Sequence, residues 1–162
     1  MNTAFFLRLS APVAACLPGA RRILYADDEP MLRRVAALVL RRAGYFVAEA
    51  ADGDEAWSRL GTEMFDLLIT DQRMPGLTGL ELVRKARSRG CAVPAILASG
   101  VIDEELRAHF KELSQSALLV KPFTPEHLLD AVEEALKTNP RAAVSPDATT
   151  LSFVSAVAPA TI

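Results

Sequence analysis

Aromatic residues are scarce in this chain, at 6% of 162 residues, so its core must rest on Leu, Val, Ile and Ala. Charge of either sign is not in excess. Eighteen basic residues face twenty acidic ones, for a formal net charge of -2. That balance excludes the strongly basic surfaces of nucleic-acid and membrane-surface binders. There are only two cysteines, Cys16 and Cys91, far apart and in no metal-ligand spacing. They make no disulfide framework, and a reducing cytosol is the natural setting. No apolar run approaches the ~18 residues of a membrane span. No repeat of solenoid length is present.

Hydrophobic residues, in contrast, make up 51% of the chain, enough for one substantial core. Residues 1–20 carry Arg8 as their one charge and are broken by Pro12 and Pro18. A secretory signal places its charge ahead of the apolar stretch, whereas Arg8 interrupts it. Residues 1–20 are therefore expected to be a disordered leader. The stretch Val13-Ala14-Ala15-Cys16 leaves a lipoprotein cleavage box as the minor alternative. Residues 139–162 are rich in Ala, Ser, Thr, Pro and Val without a clear period, and are expected to be a disordered tail. These 24 residues are too few for an ordinary DNA-binding or catalytic output domain.

Between them, residues 21–138 alternate strand-like and helix-like stretches. Strands are expected at Ile23–Ala26, Phe46–Ala50, Phe65–Thr70, Val93–Ala98 and Ala117–Val120. Helices are expected over Met31–Arg42, from Gly53 or Asp54 to Leu60, from the Thr78 cap to Arg89, over Asp103–Leu113, and from Pro125 onward. Pro30 suits a first helical turn and Gly44 a stop. Thr78 with Glu81 forms a capping-box pattern. In the first helix Met31, Val35, Leu38 and Val39 share an apolar face, away from Arg33, Arg34 and Arg41. In the last, Leu128, Val132, Ala135 and Leu136 do so. Four of the five strands are uninterrupted apolar runs, as strands covered on both faces are. The alternation predicts an α/β fold: a doubly wound, parallel five-stranded sheet.

The polar residues at the strand ends carry the chemistry. The first strand ends in Asp27-Asp28, the third in Asp71, the fourth in Ser99 and the fifth in Lys121. Right-handed crossovers bring these ends to one edge, where doubly wound sheets bind ligands. Three carboxylates, a hydroxyl and an ammonium are thus expected in one small volume. Carboxylates so close repel unless a cation joins them. Mg2+ suits such an oxygen-rich site and readily accepts a phosphate oxygen. A metal, a lysine and a hydroxyl are the parts that neutralise a phosphoryl group in transfer. Each residue alone reads as a turn former, a cap or a surface charge; together and in order they do not.

Asp27-Asp28-Glu29-Pro30, Asp71-Gln72-Arg73-Met74-Pro75-Gly76, Ser99-Gly100 and Lys121-Pro122-Phe123 resemble, in order and spacing, the receiver domain of response regulators. The resemblance implies a flavodoxin-like (βα)5 fold with strand order 2-1-3-4-5. It implies a phosphoacceptor signalling domain rather than an enzyme, with Asp71 taking the phosphoryl group from a sensor histidine kinase or a phosphotransfer protein. Asp28, Asp71 and the Arg73 backbone carbonyl would ligate Mg2+, with Asp27 acting through metal-bound water. Ser99 and Lys121 would hold the phosphoryl oxygens. Output would be a protein contact with a downstream target, by a monomer or weak dimer, through the fourth helix, fifth strand and fifth helix. Neither nucleic acid nor membrane is expected as a partner.

Two positions depart from the family pattern. Leu118 stands where receivers usually carry Tyr or Phe, so the usual aromatic switch is lacking. Arg73 stands two residues after the acceptor, near the entrance, where it bears on how fast water removes the phosphoryl group. An Asp-nucleophile phosphatase is a competing class, but such enzymes carry a second acid at the position of Arg73. A receiver that binds partners without phosphorylation is another, kept open by Leu118. His109 and His127 are expected on helix surfaces, and Trp57 as partial core.

Overall fold

The computed structural model describes residues 20–137. The expected leader up to residue 19, with Cys16, and the expected tail from 139 lie outside the described residues. Five strands alternate with five helices: β1 (Arg22–Ala26), α1 (Pro30–Arg42), β2 (Phe46–Ala50), α2 (Gly53–Thr62), β3 (Leu67–Asp71), α3 (Gly79–Ser88), β4 (Ala95–Ser99), α4 (Glu104–Lys111), β5 (Ser116–Val120) and α5 (Pro125–Lys137). All neighbouring strands pair in parallel, in the order β2-β1-β3-β4-β5. Every residue of β3 and β4 is buried, which explains the unbroken apolar runs Leu67-Leu68-Ile69 and Ala95-Ile96-Leu97-Ala98. β3 and β4 begin about two residues later than their apolar runs, at Leu67 and Ala95.

The sheet separates two cores. One, under α1 and α5, gathers Ile23, Tyr25, Leu40, Ile69, Ile96 and Leu128. The other, under the remaining helices, gathers Leu24, Leu68, Leu82, Leu97, Leu106 and Phe110. Helix ends follow local chemistry. Pro30 occupies the first turn of α1, and Gly44 follows it at φ +93°. The carboxylates of Asp52 and Asp103 cap α2 and α4, and Thr78 and Glu81 form the full capping box of α3.

The apolar face of α1 does not lie where hydrophobicity alone puts it. Met31, Val35 and Leu38 are exposed; Ala36, Ala37 and Leu40 face the sheet, with Val39 half-buried beside them. Small alanines let the helix lie close on the strands, and the larger apolar residues are left outside. Arg33 stays on the inner flank, its guanidinium donating to the Asp27 carbonyl at 2.5 Å. In α5, Leu129 joins Leu128, Val132 and Ala135 in the core, and Leu136 is half-buried.

Candidate functional site

The strand order reverses direction between β1 and β3, so the chain leaves these two strands toward opposite faces of the sheet. The C-terminal ends of β1 and β3 therefore open a crevice. Asp27 follows β1 and Asp71 ends β3. Both are buried, Asp27 at 1% exposure and Asp71 at 8%. Lys121, just past β5, reaches between them. Its Nζ donates to Asp27 Oδ2 at 2.8 Å and, at shorter range, to Asp71 Oδ1. The other oxygen of each carboxylate takes a backbone N–H. Asp27 Oδ1 accepts from Glu29 N at 3.0 Å, and Asp71 Oδ2 accepts from Arg73 N at 2.5 Å. Two carboxylates are thus held in place by one ammonium and by the loops that follow their own strands.

Burial alone would lower the pKa of Lys121, but its hydrogen bonds to Asp27 and Asp71, and their charges, outweigh that and raise it. The lysine therefore stays charged throughout the physiological range.

Not every residue expected in the crevice is bonded to this cluster. Asp28, next in sequence to Asp27, is exposed. Ser99 is buried, but its hydroxyl donates to the Val101 carbonyl at 2.7 Å and accepts from Val101 N at 3.2 Å. It is engaged with the loop leading to α4, not with Asp71. The Arg73 side chain, two residues after Asp71, is exposed. His127 is exposed and His109 half-buried. Trp57 is half-buried, with Lys85 Nζ 4.6 Å from its ring centroid.

Among the described residues, no three or more carboxylate, histidine or cysteine groups form a ready metal cage. Mg2+ does not demand one. It binds through one or two carboxylates and keeps several waters. Asp71, Asp27 and Asp28, the exposed neighbour of Asp27 in sequence, are donors of the kind that requirement asks for.

Gln72, inside the motif that starts at Asp71, and Gly79, outside the strand-end motifs, also build the site. The Gln72 carbonyl accepts from Gly79 N at 3.1 Å, and its Oε1 accepts from Leu80 N at 3.1 Å. The start of α3 is thereby docked on the chain just past Asp71. No side chain fits between them: a Cβ on Gly79 would lie 2.3 Å from the Asp71 carbonyl oxygen.

On the other side of the sheet from Lys121, Leu118 is half-buried in a groove of about 540 Å3 between α4 and β5, with Arg107, Phe110 and Lys111. The groove has room for a larger ring. Leu118→Tyr is expected to change stability by less than about 1 kcal/mol in urea denaturation. A larger loss would mean that the groove is closed to a ring.

The sequence matches the response regulator receiver domain family over residues 23–133. It is 34% identical over 116 residues to the transcriptional regulatory protein ResD of Bacillus subtilis, covering 72% of this chain and 48% of ResD. It is 33% identical over 133 residues to the probable transcriptional regulator ycf27 of Guillardia theta, covering 82% of this chain and 52% of that protein. The chain thus spans about half the length of these curated relatives. Among solved structures, the Vibrio cholerae chemotaxis protein CheY4 is similar with a TM-score of 0.68 and 32% identity, covering 72% of this chain and 98% of that one. A CheY-like receiver domain protein from Methanospirillum hungatei superposes with a TM-score of 0.70 and 28% identity, covering 74% of this chain and 95% of the other. No helix among the described residues is long and apolar enough to cross a membrane. With strand order, strand-end residues and family match in agreement, the chain belongs to the response regulator receiver domains.

Proposed function

We propose that Asp71 accepts a phosphoryl group from phosphohistidine on a sensor kinase or phosphotransfer protein, and that this receiver signals by protein contacts in a phosphorelay. The observation that carries this reading is the clamp on Asp71: one oxygen on the Lys121 ammonium, the other on the Arg73 N–H, at the mouth of the crevice. A carboxylate so oriented presents a lone pair outward. An Asp71 oxygen attacks phosphorus, the P–N bond of the donor breaks, and a P–O bond to Asp71 forms. Lys121, already beside Oδ1, turns to a phosphoryl oxygen and offsets its charge. Asp28, Asp71 and the Arg73 carbonyl, with Asp27 beside them, would hold Mg2+, which when bound would supply the further positive charge that in-line transfer needs.

The resting bonds of Ser99 give the switch a physical form. For its hydroxyl to reach a phosphoryl oxygen, it must release both Val101 groups, freeing the loop before α4. Val101 at 61% and Val120 at 56% exposure lie beside that loop and on β5, which makes the α4–β5–α5 side a face for the downstream partner. The exposed Met31, Val35 and Leu38 on α1, at the other lip of the crevice, offer an apolar surface to the helices of a phosphodonor.

Intact mass after acetyl phosphate with Mg2+ tests this reading. Wild type is expected to gain one phosphoryl adduct, lost on chelation of the metal, and Asp71→Asn to gain none. Failure of wild type to gain an adduct or bind beryllofluoride would favour a phosphorylation-independent binding module. Sustained phosphate release from a generic phosphomonoester would favour a phosphatase.

A further inference from the structure

We propose that the Tyr25 hydroxyl is a positioning donor in the floor of this site, bonding to the Asp27 oxygen that Lys121 gives up when it turns to a phosphoryl group on Asp71. This inference rests on the phosphoacceptor reading. Tyr25 is 1% exposed, and its hydroxyl has no hydrogen-bond partner among the described residues. Buried hydroxyls are rarely left so, because an unmade bond in the interior is costly. The side chain is not remote from the chemistry. Tyr25 and Asp27 are two residues apart and so face the same side of the sheet. Tyr25 also pairs with Ile69 of β3, which puts Asp71, two residues further, in the diagonal position that a tyrosine ring can span. Leu119, two residues before Lys121, lines the same core as Tyr25 and Ile69. Tyr25 therefore lies under the cluster of Asp27, Asp71 and Lys121, with its hydroxyl enclosed.

An orphaned donor at rest is matched by an orphaned acceptor after transfer. At rest Asp27 Oδ2 takes the Lys121 ammonium. Once Lys121 serves the phosphoryl group, that buried oxygen loses its lysine donor and has a lone pair open to another. A phenol gives up its proton only in alkali, so at neutral pH the Tyr25 hydroxyl keeps its proton to give. The bond would form only in the loaded state, and so would favour that state.

Tyr25→Phe removes the hydroxyl and keeps the ring. Thermal unfolding is followed with and without Mg2+ and beryllofluoride, alongside wild type and Asp71→Asn. The resting variant is expected to be as stable as wild type or more so, yet to bind beryllofluoride ~10–100-fold more weakly, the worth of one hydrogen bond to a charged group. Equal beryllofluoride affinity in wild type and Tyr25→Phe overturns the role of Tyr25 and leaves the acceptor reading intact. Lower resting stability in the variant also overturns it, since the hydroxyl would then be bonded before loading. No stabilisation of wild type by beryllofluoride overturns the acceptor reading and the Tyr25 role with it.

Discussion

Lys121→Met is expected to cost the resting, metal-free protein about 2–4 kcal/mol, read from urea denaturation at pH 7. The methionine keeps the stem and loses the charge. Asp27 and Asp71 then face each other across the space the ammonium filled. Two unit charges about 5 Å apart repel by roughly 3 kcal/mol at an effective dielectric near 20. The loss falls short of that for a fully dry pair, because the Lys121 side chain keeps 19% of its exposure. Mg2+ is expected to restore at least half of the lost stability, since a hard cation held by Asp28 and Asp71 offsets the negative charge that the lysine balanced. A variant as stable as wild type without metal would mean that the carboxylates do not depend on Lys121. A variant indifferent to Mg2+ would move the metal away from these residues.

The pH dependence of that difference has a definite sign. The folded pKa of Lys121 is raised, so its stabilisation is complete below the unfolded lysine value of about 10.4 and fades as pH climbs through the folded value. The advantage of wild type over Lys121→Met is thus expected to be flat from pH 7 to about 9 and to shrink only in stronger alkali.

The sheet and the strand-end residues were legible in the sequence because both depend on short-range pattern. Unbroken apolar runs mark strands covered on both faces, and β3 and β4 are entirely buried, whereas β5, with a similar run, lies at the sheet edge and leaves Ala117 and Val120 exposed. The capping box of Thr78 and Glu81 is written within four residues. Asp27, Asp71 and Lys121 meet because parallel strands with right-handed crossovers leave them no other edge. What depends on close approach was not legible. The inward face of α1 is set by Ala36 and Ala37, whose smallness counts for more than the apolar bulk of Met31, Val35 and Leu38. The direction of the Ser99 hydroxyl is decided by Val101, two residues into a loop whose path the sequence does not state. Tyr25 reads as one more apolar strand residue until the register places Ile69 beside it and Asp71 diagonally above.

Gly79→Ala shows how much such an approach matters, and it is expected to lower both stability and phosphorylation. The added Cβ would lie 2.3 Å from the Asp71 carbonyl oxygen and 2.4 Å from Leu97 Cδ1. The leucine methyl can swing aside. The carbonyl cannot, because it belongs to the backbone of β3, with the next residue, Gln72, bonded through its N–H to the Ala98 carbonyl. So α3 must lift, and lifting breaks the bonds from Gly79 N and Leu80 N to Gln72. The overpacking is expected to cost about 2–3 kcal/mol. Because these bonds seat the chain beside the acceptor, acetyl phosphate is expected to load Asp71 about 10–100-fold more slowly, in line with the penalty for small misplacements at a reacting centre. Gly61→Ala is the matched control. Gly61 is exposed near the end of α2 with nothing within 4 Å of an added Cβ, so alanine there should stabilise by about 0.5–1 kcal/mol and leave loading unchanged. Wild-type stability in Gly79→Ala would show that α3 is not docked on β3 as tightly as the distances require. Lost stability with undiminished loading would separate the fold of α3 from the geometry of Asp71, leaving Lys121 and the Arg73 N–H to orient the acceptor by themselves.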